Sequence, residues 1–298
     1  MTAADWTTTL DDAAVVRVRE LIAAASKADG TAPVSEQVVL SLAHTSDTRH
    51  LVRSVDGRIV GYANLVPGTA DHPAMTEVVV APDARGNGVG GDLVTAALGA
   101  GGTGARVWAH GNLAPAQAVA TRLGLSTARE LLQMRRSLWS TPLPELDVRE
   151  DVSIRTYRRN ADDAEILRVN NAAFDWHPEQ GSWTAEDISA RRAEPWFDPN
   201  GLFLAVDSAD RVLGFHWTKV HTEVEPHIGE VYVVAVDPDI HGKGLGRLLT
   251  VAGLRYLRDR GLANVLLYTE ADNAAAVHVY RKLGFETHYT DVAYTAGE

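Results

Sequence analysis

A glycine-rich turn occurs twice in this chain, about half a chain apart and in the same local context. The first copy reads VVVAPDARGNGVG at residues 78–90, and the second reads VAVDPDIHGKGLG at residues 234–246. In each, a β-branched run ends at a proline, glycines follow, and an apolar-periodic segment begins, which predicts a strand, a loop and a helix N-terminus. Such a loop directs backbone N–H groups and the positive end of a helix dipole to one point. The sequence therefore predicts two copies of one phosphate-binding domain.

The glycine spacing excludes two common phosphate-binding loops. A P-loop requires G-x-x-x-x-G-K-[ST], which neither copy contains. Gly86, Gly88 and Gly91 fit the dinucleotide pattern G-x-G-x-x-G, but in the second copy Arg247 stands where the third glycine is needed. No acidic residue follows the next predicted strand, near Trp108, to hold a ribose hydroxyl. A nucleotide-binding fold of either kind is therefore rejected.

The repeat extends beyond the glycine turns. Residues 58–62 (RIVGY) parallel residues 211–215 (RVLGF), and residues 121–125 (TRLGL) parallel residues 281–285 (RKLGF). A period of this size indicates tandem domains, since solenoid repeats are about 20–50 residues long. The 298 residues suit two domains of roughly 140–150 residues each. We predict α/β folds in tandem, each a mixed, twisted central sheet flanked by helices.

A proline-containing segment divides the two repeats. Residues 140–146 (STPLPEL) carry two prolines and no hydrophobic period, which is typical of a semi-rigid connector. We therefore place an N-terminal domain at residues 1–139, a linker at 140–150 and a C-terminal domain at 151–298.

The composition excludes several classes of partner and site. The net charge of −11 argues against nucleic acid as a partner, because phosphate contacts need a basic surface. The chain has no cysteine, and hence no disulfide, thiolate metal site or cysteine nucleophile. It shows no signal-peptide pattern and no apolar run of about 18 residues. We expect a cytoplasmic protein that binds neither nucleic acid nor membrane. The oligomeric state stays open, with a monomer among the alternatives.

The pattern that both turns share is polar-x-x-G-x-G, at residues 85–90 and 241–246. It resembles the acyl-CoA pyrophosphate loop of the GCN5-related N-acetyltransferases, although His241 stands where that family usually has Gln or Arg. The resemblance implies acetyl-CoA as the cosubstrate and no metal. It assigns acetyl-CoA contacts to the strand and loop residues Val78, Val79, Val80, Gly86, Asn87, Gly88, Val89, Gly90 and Gly91 in the first half. In the second half it assigns them to Val234, Ala235, Val236, His241, Gly242, Lys243, Gly244, Leu245, Gly246, Arg247, Asn273, Ala274, Ala275, Ala276, Val277 and His278.

Acetyl transfer to an amine also needs groups that move protons. The resemblance implies Glu230 as the general base and Tyr280 as the acid that protonates the leaving thiolate. Asn273 can cap the helix that carries Tyr280. When the halves are aligned on their glycines, Ala74 matches Glu230 and Ala120 matches Tyr280. We therefore predict that the C-terminal domain is catalytic and that the N-terminal domain binds acetyl-CoA without transferring its acetyl group.

Over nearly its whole length the chain resembles one tandem branch of that family, the mycothiol synthases. The resemblance rests on GEVYVV at residues 229–234 and LLYTEADN at residues 266–273, placed around the second loop. It implies acetyl transfer, by direct attack in a ternary complex, to the cysteinyl amine of cysteinyl-glucosaminyl-inositol. This small-molecule acceptor would be contacted by Glu36, Glu179, Lys219, Glu230 and Tyr268, and the polar, aromatic loop around Glu179 suits a sugar.

Two other functions stay open at this point. The chain could acetylate another amine, such as a small molecule or a protein N-terminus. It could also be a non-catalytic acetyl-CoA sensor, which Ala74 and Ala120 would suit but Glu230 and Tyr280 would not.

Overall fold

The computed structural model describes residues 6–42, 47–70, 72–146, 150–175, 180–222, 224–240 and 244–297. The chain forms two compact units. The N-terminal unit contains Met1–Leu131 and Tyr289–Glu298, and the C-terminal unit contains Leu132–His288.

The described helices and strands follow the α/β pattern that the sequence predicts. The helices are α1 (Asp12–Asp29), α2 (Glu36–Ser41), α3 (Val89–Gly101), α4 (Ala114–Arg122), α5 (Asn160–Ala173), α6 (Ala185–Ala193), α7 (Leu245–Asp259) and α8 (Ala274–Lys282). The strands are β1 (Arg49–Val55), β2 (Arg58–Val66), β3 (Met75–Val80), β4 (Arg106–Ala109), β5 (Leu125–Ser137), β6 (Ser153–Thr156), β7 (Leu202–Val206), β8 (Val212–His221), β9 (Ile228–Val236), β10 (Asn264–Glu270) and β11 (Glu286–Ala296). None of the described helices has the length and apolar character needed to cross a bilayer.

The sheet of the N-terminal unit has the strand order β1-β2-β3-β4-β11. It is mixed, because β3 and β4 run parallel while the other neighbouring strands run antiparallel. Helices α1 and α2 cover one part of it, where Val18, Leu21 and Val38 pack with Tyr62 and Val79. These buried positions recur at helical spacing, so burial of one face holds α1 on the sheet.

The sheet of the C-terminal unit has the order β5-β10-β9-β8-β7-β6, and its β9 and β10 are the parallel pair. Helix α7 packs through a stripe of leucines, in which Leu245, Leu248, Leu249 and Leu257 are all buried. A second cluster joins α5 and α6 to the sheet through Ile166, Val169, Ile188, Phe215 and Trp217. Both units thus have the mixed sheet flanked by helices that the sequence predicts.

Each compact unit contains a strand that comes from the other sequence repeat. The C-terminal strand β11 pairs with β4 in the N-terminal unit, whereas β5, from the first half, lies beside β10 in the C-terminal unit. The units accordingly divide after Leu131 and after His288, and Leu143 and Leu146 of the predicted linker pack on the C-terminal unit. That residues 140–150 separate the two sequence repeats stays a prediction.

The described residues of both glycine turns have the predicted local structure. A short 3-10 turn, Pro82–Ala84 or Pro238–Ile240, follows the strand. Gly88 then forms the N-cap of α3 with φ of 87°, and Gly244 forms the N-cap of α7 with φ of 76°. Residues with a Cβ rarely adopt this left-handed backbone conformation, so each cap position favours glycine.

Candidate active site

In each unit the two parallel strands pair at three registered positions and then part. In the C-terminal unit the pairs run from Val265↔Gly229 to Leu267↔Val231, after which β9 continues to Val236. In the N-terminal unit they run from Met75↔Arg106 to Glu77↔Trp108. Beyond these pairs the edge of the central strand has no partner strand among the described residues. Backbone N–H groups on that edge are available to an acyl carbonyl oxygen.

A β-bulge distinguishes the central strands of the two units. In the C-terminal unit the register shifts so that Trp217 pairs with Val233 and Thr218 with Val231, which leaves Tyr232 as the extra residue of β9. In the N-terminal unit β2 and β3 pair without interruption from Gly61↔Val80 to Val66↔Met75.

The bulge corrects the alignment of the two halves. Gly61 and Gly214 occupy the same register, each opposite the last valine of the central strand. Counting from them, Val66 corresponds to Lys219, and Met75 corresponds to Glu230. The ungapped alignment assigned Ala74 to this position, and that assignment is wrong because it overlooks the extra residue. Like alanine, methionine cannot transfer a proton.

Three predicted acceptor-binding residues share one face of the C-terminal sheet. Lys219 lies directly opposite Glu230, and Tyr268 lies two residues beyond Leu266, the partner of Glu230 on β10. The Lys219 Nζ is 5.0 Å from the centre of the Trp196 ring, a cation–π contact. The Tyr268 hydroxyl accepts a hydrogen bond from Gln133 at 2.7 Å, and its side chain is exposed. This face combines a carboxylate, an ammonium group and aromatic rings, which suits a polar organic acceptor.

Glu230 is buried and has a partner that sequence reasoning missed. Only 7% of the residue is exposed, and its Oε2 lies 2.7 Å from the Nε2 of His221. The alternation along β8 puts His221 and Lys219 on the same face. The sequence does not give the register between β8 and β9, and this register decides which residue of β9 the side chains of His221 and Lys219 contact.

The helix α8 carries the predicted acid. Asn273 is its N-cap, and the side-chain oxygen accepts a hydrogen bond from the N–H of Ala276 at 3.1 Å, which confirms the predicted cap. Leu113 holds the corresponding position at α4 and provides no side-chain cap. The partly buried Tyr280 packs against Phe285, and burial raises the pKa of its hydroxyl to about 12. The hydroxyl is therefore protonated near neutral pH and can donate a proton.

Some predicted residues lie elsewhere. Glu179 and the loop residues His241, Gly242 and Lys243 are outside the described residues. Glu36 is exposed at the start of α2 in the N-terminal unit. The remaining predicted cosubstrate residues of the second half lie at the end of β9 and in the first turns of α7 and α8, namely Val234, Ala235, Val236, Gly244, Leu245, Gly246, Arg247, Ala274, Ala275, Ala276, Val277 and His278.

The N-terminal unit contains a cavity of about 550 Å³ at its glycine turn, a size typical of ligand pockets. Its lining includes the predicted cosubstrate residues Val78, Val79, Val80, Gly86, Gly88, Gly90 and Gly91, but not Asn87 or Val89. The buried Ala120 also lines it, where the C-terminal repeat has Tyr280. The parted strands, the helix N-terminus and the apolar walls fit an acyl-CoA, and Ala120, at the position of Tyr280, has no proton to donate to its thiolate.

The same cavity is lined by Arg122, a residue that the sequence analysis did not select. A Cβ on Gly91 would collide with the Arg122 guanidinium, so glycine at this position makes room for the charge. The second repeat has Arg247 in place of Gly91 and Lys282 in place of Arg122. The basic residue that both repeats have at this second position is the signal that could have identified Arg122.

Arg122→Ala is expected to weaken acetyl-CoA binding by the N-terminal unit about 10-fold. The substitution removes the guanidinium that we expect to contact a phosphate of the cosubstrate, and a hydrogen bond to a charged group contributes about 1.5–3 kcal/mol. Calorimetric titration of the full chain measures the Kd of each site. Arg53→Ala, which removes an exposed arginine of β1, is the matched control. Equal affinities in Arg122→Ala and the control would exclude a phosphate contact by Arg122.

A charged network borders this cavity. The Nε2 of His110 lies 2.9 Å from Glu77, and its Nδ1 lies 3.5 Å from Asp291. Glu77 also accepts hydrogen bonds from the backbone N–H and the hydroxyl of Ser35. Burial lowers the pKa of His110, but hydrogen bonds to Asp291 and Glu77 and their charges outweigh it and raise the pKa to about 9.

The N-terminal unit is therefore expected to lose stability in mild alkali. Because the pKa of His110 is raised in the folded state, its protonated form stabilises the fold fully at pH values below the unfolded pKa of about 6.5. This stabilisation disappears as the pH rises through the folded pKa of about 9. Between pH 7 and pH 10 we expect a loss of about 1–3 kcal/mol that His110→Gln does not share. Urea unfolding of both proteins at the two pH values measures it, and identical pH dependence would contradict this role of His110.

Comparisons with known proteins agree with these features. Residues 16–125 and 168–285 each match the Acetyltransferase (GNAT) family. The chain is 64% identical to the mycothiol acetyltransferase of Nocardia farcinica over 98% of this chain and 97% of the relative. It is 61% identical to the mycothiol acetyltransferase of Rhodococcus opacus, over 97% of each chain.

Solved structures show the same fold at low identity. A GCN5-related N-acetyltransferase from Sphaerobacter thermophilus superposes with a TM-score of 0.72 at 21% identity, covering 99% of this chain and 95% of that one. A tandem GNAT protein from the clavulanic acid biosynthesis pathway superposes with a TM-score of 0.70 at 21% identity, covering 98% of both chains. The two family matches, the parted strands and the glycine-capped helices lead to one conclusion: the chain belongs to the acetyltransferase (GNAT) family and is an acetyl-CoA-dependent, tandem member of it.

Proposed function

We propose that this protein transfers the acetyl group of acetyl-CoA to the cysteinyl amine of cysteinyl-glucosaminyl-inositol (desacetylmycothiol), which yields mycothiol. The observation that carries this proposal is the similarity to mycothiol acetyltransferases, 64% identity over nearly the full length of both chains. The sheet face with Lys219, Glu230 and Tyr268 supports it, since a polyol with an amine needs hydrogen-bonding and charged partners.

Glu230 is proposed to accept the proton of the attacking amine. Its carboxylate lies just before the point where β9 and β10 part, next to the strand edge proposed to hold the thioester. An α-amino group has a pKa of about 7.7–8.0, so much of it is already neutral near pH 8 and the base needs little driving force. Acetyl-CoA, when bound, supplies the thioester. The N–H groups on the unpaired edge of Val234–Val236 would stabilise the negative charge that develops on the carbonyl oxygen.

Tyr280 is proposed to protonate the departing sulfur. As the new bond between nitrogen and the acetyl carbon forms and the bond from that carbon to sulfur breaks, the amine proton passes to Glu230. The Tyr280 hydroxyl then gives its proton to the thiolate. The chain has no cysteine to carry an acetyl group, which supports direct transfer in a ternary complex.

The N-terminal unit is proposed to bind acetyl-CoA without transferring it. Its cavity supports binding, while Met75 and Ala120 stand where the C-terminal unit has the base and the acid. Bound ligand would stabilise this unit by a few kcal/mol at saturating concentration. Acceptor contacts from Glu36 and Glu179, pyrophosphate contacts from residues 241–243 and a cytoplasmic location likewise remain proposals.

An acceptor panel tests the function. The purified chain is incubated with acetyl-CoA and either cysteinyl-glucosaminyl-inositol, free cysteine, glucosamine or a peptide, and release of CoA thiol is followed. Because the first two carry thiols themselves, product is also measured by mass. Turnover confined to the pseudodisaccharide is expected. Turnover on another amine would replace the proposed acceptor, and tight acetyl-CoA binding without any turnover would favour a sensor.

A further inference from the structure

His221 lies on β8, next to β9, on the sheet face that carries the proposed acceptor site. Lys219 is directly opposite Glu230 in the antiparallel pair of β8 and β9, and His221 is two residues further along β8. Such diagonal neighbours on one face of a sheet are within reach of long side chains. The His221 Nε2 accordingly lies 2.7 Å from the Glu230 Oε2.

Both members of this pair are largely removed from water. The exposed fractions of the side chains are 19% for His221 and 9% for Glu230. A carboxylate that loses water needs a donor in its place, and among the described residues His221 is the side chain that hydrogen-bonds this carboxylate. The contact fixes Oε2 and leaves Oε1 as the oxygen that can accept a proton.

Within the part of the N-terminal unit that the structure describes, there is no equivalent contact. Counted from Gly61 and Gly214, which share a register, the position of His221 corresponds to Gly68, beyond the end of β2. Glycine has no side chain to donate a hydrogen bond, and the position of Glu230 is held by Met75. The imidazole and the carboxylate thus occur together in the C-terminal unit and are both replaced in the N-terminal unit.

We infer that His221 is a positioning residue for Glu230. It donates the Nε2 proton to Oε2, which holds the carboxylate in one orientation with Oε1 directed at the acceptor amine. This inference rests on the proposed role of Glu230 as the general base. His221 keeps its proton throughout the reaction, so any side chain that donates an N–H from the same place should replace it.

Two substitutions separate donation from proton transfer. His221→Leu removes the donor, and we expect kcat to fall about 10–100-fold, the range that corresponds to a lost hydrogen bond to a charged group. We expect the KM for acetyl-CoA to stay within about twofold, because His221 acts through Glu230. His221→Gln keeps an N–H donor but cannot carry a proton, and it should restore kcat to within about threefold of wild type. His227→Gln, at an exposed histidine of the same unit, is the control.

Several outcomes would overturn the inference. Wild-type kcat in His221→Leu would show that the contact does not matter for catalysis. A loss in His221→Gln as large as in His221→Leu would mean that the imidazole itself carries a proton. A parallel rise in the KM for acetyl-CoA would indicate a general structural defect.

A double-mutant cycle ties the effect to Glu230. If His221 acts through this carboxylate, adding His221→Leu to Glu230→Gln should change the remaining activity less than about twofold. An undiminished effect of His221→Leu in that background would overturn the inference. Full activity of Glu230→Gln alone would instead overturn the proposed general base, so the two failures are distinguishable.

Discussion

Glu230→Gln is expected to lower kcat by about 10²–10⁴-fold, the usual contribution of a general base. Glutamine has the size of glutamate and keeps a donor and an acceptor, so the strand and its contacts should be preserved. It cannot accept the amine proton, however, and the charged amine cannot attack. The affinity for acetyl-CoA should change less than about twofold, because the proposed cosubstrate contacts lie on the strand edge and at the helix N-termini.

Steady-state kinetics with saturating acetyl-CoA, together with titration of acetyl-CoA into the variant, measure both quantities. Glu286→Gln makes the same chemical change at an exposed position of β11 and should leave kcat unaltered. Wild-type turnover in Glu230→Gln would remove this residue from the mechanism. The rate should also recover partly at high pH, where more of the amine is neutral before it binds.

Tyr280→Phe is expected to lower kcat by about 10²-fold, the lower end of the range for general acid catalysis. The phenyl ring keeps the packing against Phe285, and only the hydroxyl is lost. Because burial raises the pKa of this hydroxyl to about 12, it stays protonated across the pH range in which the enzyme can be assayed. Its ionisation should therefore produce no alkaline fall in the wild-type rate below about pH 10.

The leaving group gives a sharper test of Tyr280. An acetyl thioester of a more acidic thiol departs without needing a proton, so the deficit of Tyr280→Phe should shrink with such a donor. Tyr289→Phe is the control, because it removes a hydroxyl that donates to the carbonyl of Gly30 in the N-terminal unit. An equal deficit with both donors would contradict proton donation by Tyr280.

Local features of this protein could be predicted from the sequence. The strand, turn and helix at each glycine repeat, the buried leucine stripe of α7 and the cap at Asn273 all depend on residues close together in the chain. Gly88 and Gly244 illustrate the reason, since a left-handed cap favours glycine whatever surrounds it. The internal repeat then implied that the same fold occurs twice.

Long-range pairing could not be predicted in the same way. The exchange of β5 and β11 between the units, the bulge at Tyr232 and the contact of His221 with Glu230 each depend on which strand lies beside which, and in what register. Residue counting assigned Ala74 instead of Met75 to the position of Glu230 because it overlooked the extra residue of the bulge. Such a shift of one residue turns a side chain to the other face of the sheet. The sequence by itself determined the repeats, the caps and the acetyltransferase chemistry. Only the tertiary structure decided the strand exchange and the partners of the Glu230 carboxylate, because hydrogen bonds between strands join residues far apart in the chain.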